Sequence, residues 1–199
     1  MLADLLNTKK CFKLICGAGN EDEKEVEKLV ALYSKAGCRF FDLSAKPEII
    51  DAAKKGLEFA KVNDAYLCVS VGIKGDPHVN KAVIDYEKCV SCYSCDEVCP
   101  NNAIKYAKIK SKRCIGCGKC VRICPKHAIT TVSEAKAFSE IIPPVIEKGI
   151  DCIELHAMGT DENEVTEKWN YISSVFNGML SICTSRGKLS DESMINRVE

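Results

Sequence analysis

No apolar run in this 199-residue chain approaches the ~18 consecutive residues that a membrane-spanning helix needs. The opening Met1-Leu2-Ala3-Asp4 has no basic stretch leading into a long apolar segment, so neither a secretory leader nor a membrane anchor is expected. Net charge is also lacking: 28 Lys and Arg face 28 Asp and Glu, which leaves no general attraction to nucleic acid or to an anionic bilayer. Nucleotide signatures are missing too. Gly17-x-Gly19 lacks the third glycine of the dinucleotide fingerprint, and no Walker lysine follows a glycine loop. Flavin has no motif to support it.

What the chain has in excess is cysteine, fourteen in all. Eight of them form two matching runs, Cys89-x2-Cys92-x2-Cys95-x3-Cys99-Pro100 and Cys114-x2-Cys117-x2-Cys120-x3-Cys124-Pro125. This is the spacing by which bacterial ferredoxins hold [4Fe–4S] clusters. Three thiolates separated by two residues each wrap one face of a cubane, and the fourth iron takes its ligand from elsewhere. In two-cluster ferredoxins that ligand is the last cysteine of the other run. One cluster is therefore assigned to Cys89, Cys92, Cys95 and Cys124, and the second to Cys114, Cys117, Cys120 and Cys99. Pro100 and Pro125 fit the turns, and Gly116 and Gly118 allow backbone amides to approach sulfur. The flanks repeat as well: Val90 matches Ile115, Val98 matches Ile123, and Ala103-Ile104 matches Ala128-Ile129, an expected small core around both clusters.

Zinc favours two separated C-x2-4-C pairs, and disulfide frameworks belong to small secreted domains, so neither matches these runs. Residues 80–131 hold ten Lys or Arg against four Asp or Glu. Two oxidised clusters with eight thiolates carry about −2 each, and that charge belongs in the local balance. Compensation of the clusters explains the excess better than RNA, because aromatic side chains for stacking bases are not interleaved here. Asp96 and Glu97 lie near the first run, and Lys119, Arg122 and Lys126 near the second, which predicts the higher reduction potential for the cluster of Cys114, Cys117 and Cys120. The other cysteines (11, 16, 38, 68, 152, 183) are scattered; four lie inside apolar runs and read as small buried hydrophobes. So many thiols without a leader predict a reducing cytoplasm.

Around the cysteine segment, short apolar runs alternate with amphipathic ones. Strands are predicted at 13–17, 39–43, 65–71, 150–155 and 179–184. Helices are predicted from an Asn20 cap to about Ala36, from Pro47 to Ala60, from a Ser133 cap to about Lys148, and from a Thr160 cap to about Phe176. The polar tail 186–199 offers no sixth strand. The expected class is α/β: a parallel β/α partial barrel or open sheet formed by 1–77 and 133–199, with 78–132 as an inserted bacterial 2[4Fe–4S] ferredoxin-like α+β domain. Five such units are too few to close an eight-stranded barrel, so a homo-oligomer or a complex covering the open edge is anticipated.

Ligands of parallel α/β folds sit at the carboxyl ends of the strands. Those ends carry Gly17 to Asn20, Asp42 and Ser44, Gly72 and Lys74, Glu154 and His156, and Thr184 with Arg186. Glu154-x-His156 places two side chains on one face. With Asp42, these are the candidates for acid/base work, against the plainer reading of solvated strand tips.

Several stretches resemble the LdpA family: Phe12-Lys-Leu-Ile-Cys-Gly-Ala18, Ala36-Gly37, Phe41-Asp-Leu-Ser44, Pro47-x-Ile49-x-x-Ala52-Ala53, Val69-Ser-Val71, Gly75-Asp-Pro-His78, both cysteine runs and Ile150-Asp-Cys-Ile-Glu-Leu-His156. The resemblance spans most of 12–185. It implies an iron–sulfur protein with a two-cluster ferredoxin module, of a kind linked in cyanobacteria to redox sensing for the circadian clock, and cluster binding by the eight cysteines named above. It does not carry over the clock role, and family members have a longer C-terminal domain. The function expected is electron transfer or redox sensing through a partner protein, in preference to independent catalysis. The alternative is an oxidoreductase subunit or fragment with a flavin or substrate site at the strand ends.

Overall fold

A computed structural model describes residues 1–17, 19–73, 76–134, 136–187 and 189–198. Helix α1 (Leu2–Asn7) precedes two strand–helix steps and a third strand: β1 (Lys13–Ile15), α2 (Glu23–Lys35), β2 (Phe40–Ser44), α3 (Pro47–Ala60) and β3 (Tyr66–Gly72). The cysteine segment follows, with β4 (Asn80–Ile84), α4 (Ser94–Glu97), β5 (Ile104–Lys105), β6 (Lys108–Ile109), α5 (Lys119–Ile123) and β7 (Ile129–Ser133). The chain then returns through α6 (Phe138–Glu147), β8 (Cys152–His156), α7 (Glu162–Val175), β9 (Met179–Cys183) and α8 (Asp191–Val198). None of the described helices is long and apolar enough to cross a membrane.

Five strands form one parallel sheet in the order β1-β2-β3-β8-β9, so each lies beside its predecessor among the sheet's own strands. Because side chains alternate along a strand, the register sorts this sheet into two unlike faces. Phe41, Leu43, Leu67, Val69, Val71, Ile153 and Leu155 lie on one face, buried in the main core with Val26, Val30, Ile49, Ile50, Ile142 and Ile172 of the helices. The opposite face carries Lys13, Asp42, Cys68, Ser70, Cys152, Glu154, His156 and Ser181. At its amino end Leu2 of α1 packs with Phe40, Cys68 and Cys152, which covers Cys68 and Cys152 completely. The small buried thiols expected there are found, while α1 itself gave no signal beyond a short apolar pair.

Helix boundaries differ from the sequence reading in instructive ways. Asp22, not Asn20, caps α2 by accepting from the Glu25 amide. Asn20 is buried instead, donating to the Cys16 carbonyl and accepting from the Asp22 amide, so it braces the loop out of β1. Ser133 does not cap a helix. It closes β7 opposite Asn80, and α6 begins at Phe138 after Ala137. Asp161 rather than Thr160 caps α7, taking the amides of Asn163 and Glu164. The polar tail forms α8, anchored by Arg197, whose guanidinium donates to the carbonyls of Ala157 and Gly159 and pairs with Glu162. A helix held by one arginine to backbone oxygens leaves no apolar periodicity to read. Lys74, named among the strand-end residues, lies outside the described residues.

Helices α2 and α3 approach closely at Gly56, where a Cβ would stand 2.5 Å from the Glu27 carbonyl and 3.1 Å from the Ala31 nitrogen, both backbone atoms. Overpacking a tight contact costs about 1–3 kcal/mol. Gly56→Val is therefore expected to lower stability by about 2 kcal/mol or more in thermal unfolding of the anaerobic protein. Lys55→Val, on the exposed side of the same helix, should cost only the propensity difference of about 0.6 kcal/mol.

Candidate functional site

The two cysteine runs repeat in backbone as well as in sequence. Ser91 and Gly116 share a left-handed conformation (φ 53° and 67°), as do Tyr93 and Gly118 (62° and 68°) and Asn102 and His127 (48° each). The first loop thus makes with Ser91 and Tyr93 the turns that the second makes with glycine. Short helices α4 and α5 follow these turns, and the antiparallel β4–β7 pair closes the segment. The Ala103 amide donates to Cys99 Sγ and the Ala128 amide to Cys124 Sγ, each at 3.2 Å, and the Ala82 amide donates to Cys114 Sγ at 3.4 Å.

These turns create two small pockets of about 20 Å³ each. The first is lined by Cys89, Cys92, Cys95 and Cys124. The second is lined by Cys99, Cys114, Cys117 and Cys120. Each gathers three sulfurs of one run and the last sulfur of the other, and all fourteen cysteines are free thiols. Amide hydrogens point at sulfur in both sets, and Ile104 and Ile129 give the pockets aliphatic walls. That donor set fits a cubane. Ala103, Ile104, Ala128 and Ile129 are buried, and Ala103, Ile104 and Ile129 supply walls, as their repetition predicts. Val90 and Ile115 line the first and second pockets in turn, although Val90 is exposed, whereas Ile123 is exposed and lines neither. Lys126 lines the first pocket rather than the second, because the chain crosses over at Cys124-Pro125, while Lys119 lines the second.

The Cys114 loop is clamped to the sheet. Lys81, 2% exposed, donates to the carbonyls of Gly19 and Cys114 at 2.9 Å each and pairs with Glu21 at 3.0 Å. Glu21 also takes Lys46 at 2.6 Å, and its amide donates to the Lys112 carbonyl. Lys112 pairs with Glu23, and Arg113 with Glu25 and Asp22. A Cβ on Gly19 would sit 3.1 Å from Ile115 Cα and 3.2 Å from the His78 carbonyl, so this glycine serves close packing rather than a dinucleotide.

A second polar group occupies the carboxyl ends of β2, β3, β8 and β9. Lys13 reaches Asp42 at 3.1 Å and Glu154 at 2.8 Å. Ser70 donates to Asp42 at 2.6 Å and Ser181 to Glu154 at 2.9 Å. His156 lies 3.4 Å from Glu154 through Nε2 and 3.2 Å from Asp76 through Nδ1, and His78 Nδ1 lies 2.8 Å from the other Asp76 oxygen. The predicted trio Glu154, His156 and Asp42 is thus brought together, but buried and paired rather than solvated. Burial alone pushes the His156 pKa down, yet its bonds to Asp76 and Glu154 outweigh that and raise it to about 9. The bond from His156 draws Glu154 down to about 2 against its burial. Burial raises Asp42, partly offset by Lys13. Asp76 is held well below the carboxylate range, since its bonds to both histidines outweigh burial.

Sequence reading missed Lys13, Asp76 and His78. Period-two alternation along β1 and β2 would have put Lys13 beside Asp42, but nothing in the sequence folds Asp76 back over Gly72. Of the remaining strand-end residues, Ser44 and Gly72 line an open cavity of about 610 Å³ that Asp76, His78, Ser70, Lys46 and Lys81 also border. Thr184 keeps a buried hydroxyl with no partner among the described residues. Arg186 pairs with Asp191 on the surface. Lys81→Met is expected to destabilise the protein by about 2–4 kcal/mol, by removing a buried charge partner and two hydrogen-bond donations. Thermal unfolding measures it, with exposed Lys112→Met, whose pair contributes little, as comparison.

Comparison with known proteins adds identity to this geometry. Residues 81–135, which contain all eight cysteines of the two runs, match the LdpA Fe-S cluster-binding domain, and residues 113–175 match a 4Fe-4S dicluster domain. Light dependent period A of Synechococcus elongatus is 30% identical over 167 residues, covering 81% of this chain and 47% of that protein. The chain thus spans about half the length of the curated relative it matches. Its cysteine runs and its matching domain make it an iron–sulfur protein with an LdpA-type cluster-binding domain, similar to Light dependent period A over the shared residues.

Proposed function

We propose that the protein binds two [4Fe–4S] clusters, one held by Cys89, Cys92, Cys95 and Cys124 and the other by Cys99, Cys114, Cys117 and Cys120, and passes electrons to or from a partner protein as a carrier or redox sensor. The observation that carries this reading is the pair of like-sized pockets, each lined by three sulfurs of one run and the fourth of its sister. Bound clusters supply one-electron redox chemistry at potentials set by their surroundings. The chain's own part is to aim amides at Cys99, Cys114 and Cys124, to screen the pockets with Ile104 and Ile129, and to leave Cys92 exposed where a partner gains access. In this reading 78–132 is a ferredoxin-like insert in a β/α scaffold of 1–77 and 133–199. The scaffold's outer strand β9, half-buried throughout, forms an edge for a partner or a second copy. Neither nucleic acid nor membrane enters the proposal.

A second reading is favoured by the strand-end cavity bordered by Ser70, Asp76, His78 and Lys81, with Asp42 and His156 one hydrogen bond behind its wall: an oxidoreductase subunit whose substrate sits there, with Lys81 joining it to the Cys114 loop. Flavin has no observation behind it. A visible spectrum of anaerobically purified protein separates the two, since only the second allows a further chromophore or substrate-dependent reoxidation of the clusters.

Anaerobic protein should contain about eight irons and eight acid-labile sulfides per chain. Cross-ligation predicts that Cys89→Ser with Cys124→Ser damages one cluster and leaves roughly four irons, whereas Cys114→Ser with Cys124→Ser damages both. The reverse ranking of the two double variants would refute the shared ligation. Arg122 places Nη1 3.4 Å from where a Gly118 Cβ would be, at the edge of the second pocket. With Lys119 it favours the reduced form there, so EPR-monitored titration of Arg122→Glu should show one potential lowered and the other unmoved.

A further inference from the structure

We infer that Asp76, His78 and His156 form a binding site for a single divalent transition-metal ion of the zinc or ferrous class, apart from the cysteine pockets. One ligand atom from each of the three lies within 4.8 Å of the others. The two imidazole Nδ1 atoms sit 2.8 and 3.2 Å from the two Asp76 oxygens. Donors bound at about 2.0–2.2 Å and separated by 90–110° stand roughly 3–3.5 Å apart, so small movements convert these hydrogen bonds into a shared coordination sphere.

The backbone is shaped for this convergence. His156 ends β8 opposite Gly72 of β3, and past the end of β3 the Asp76 amide donates to the Ile73 carbonyl. A Cβ at position 72 would stand 2.3 Å from Asp76 Oδ2, so glycine there lets the carboxylate fold across the strand end to His156. The second sphere is in place too. Glu154 faces His156 Nε2, and Glu154 is itself fixed by Lys13 and Ser181. A carboxylate on one ring nitrogen sets the tautomer and frees the lone pair of the other for a metal.

Charge balance points the same way. Asp42, Asp76 and Glu154 bring three negative charges into a buried site where Lys13 supplies one positive charge. One divalent cation neutralises the remainder, and the alternative is a proton on each imidazole. Access is open: His78 is one-third exposed, and with Asp76 it borders the large cavity, so vacant coordination positions face solvent. An N2O set with open positions suits zinc or ferrous iron, and magnesium poorly. The neighbouring trio Glu154, His156 and Cys183 is a weaker choice. Both Lys13 and Ser181 already hold Glu154, and burial keeps the Cys183 thiol protonated.

The test uses full-length, cluster-loaded protein prepared anaerobically, stripped with a mild chelator, equilibrated with zinc and desalted. About one zinc per chain should remain, with iron and sulfide unchanged, and the zinc-edge absorption spectrum should show nitrogen and oxygen neighbours at about 2.0–2.1 Å and no sulfur at 2.3 Å. His78→Gln and His156→Gln should each weaken zinc binding at least tenfold while cluster content holds, and Ser181→Ala should weaken it less. Ferrous iron should compete and magnesium should not. Failure of the wild-type protein to retain zinc, sulfur in the zinc shell, or equal binding by the histidine variants would overturn the site. Should a variant not fold, the wild-type spectrum alone decides. Because iron and sulfide are counted in the same samples, loss of the zinc site and loss of the clusters are read separately.

Discussion

Lys81 carries its ammonium into the seam between the cysteine segment and the parallel sheet, and much of the molecule is arranged around it. The charge is removed from water, which is tolerable only with close partners of opposite polarity. Glu21 supplies the countercharge, and the carbonyls of Gly19 and Cys114 accept its other protons. One end of this network is therefore the loop out of β1, and the other is the backbone of a cysteine lining the second pocket. Lys81 stands opposite Val132 in the pairing of β4 with β7 and also borders the strand-end cavity. The two chemically active regions thus share a wall.

The unlike faces of the sheet explain why that cavity is polar. Helices cover one face with aliphatic side chains, and the main core lies there. At its amino end the other face is covered by α1, where the residues are Phe40 and small thiols. Beyond them it carries Asp42, Ser70, Glu154 and Ser181, which Lys13 reaches from the start of β1, each satisfied by another member of the group. Buried charges persist only when paired and hydrogen-bonded, so the group is either retained as a unit or exchanged as a unit. The helix-covered face carries the packing energy that permits this concentration of charge opposite it.

Much of this was legible beforehand. The spacing of cysteine and proline announced both runs, and the pockets gather the sulfurs in the sets that spacing suggests. All five sheet strands lie within a residue or two of their apolar signals, since a strand buried on its helical face must be apolar at alternate positions. Helix caps were less legible. Asn20 and Asp22 are both good capping residues, and only the buried loop, which claims Asn20, leaves the role to Asp22. Ser133 looked like a cap because its pairing partner Asn80 is distant in sequence. The α8 helix is held through Arg197 to carbonyls rather than by an apolar stripe, which leaves no periodic trace.

The sequence by itself determined the chemistry of the cysteine runs and the order of strands and helices, because both rest on local spacing: short loops around sulfur, and the two- and 3.6-residue repeats of buried faces. Only the tertiary structure decided that the first loop turns through Ser91 and Tyr93 as the second does through glycine, that Lys126 crosses to the other pocket, and that Asp76 meets His78 and His156. Those outcomes depend on which distant segments share a surface, and burial sets that through the packing of the whole chain rather than through any neighbouring residue.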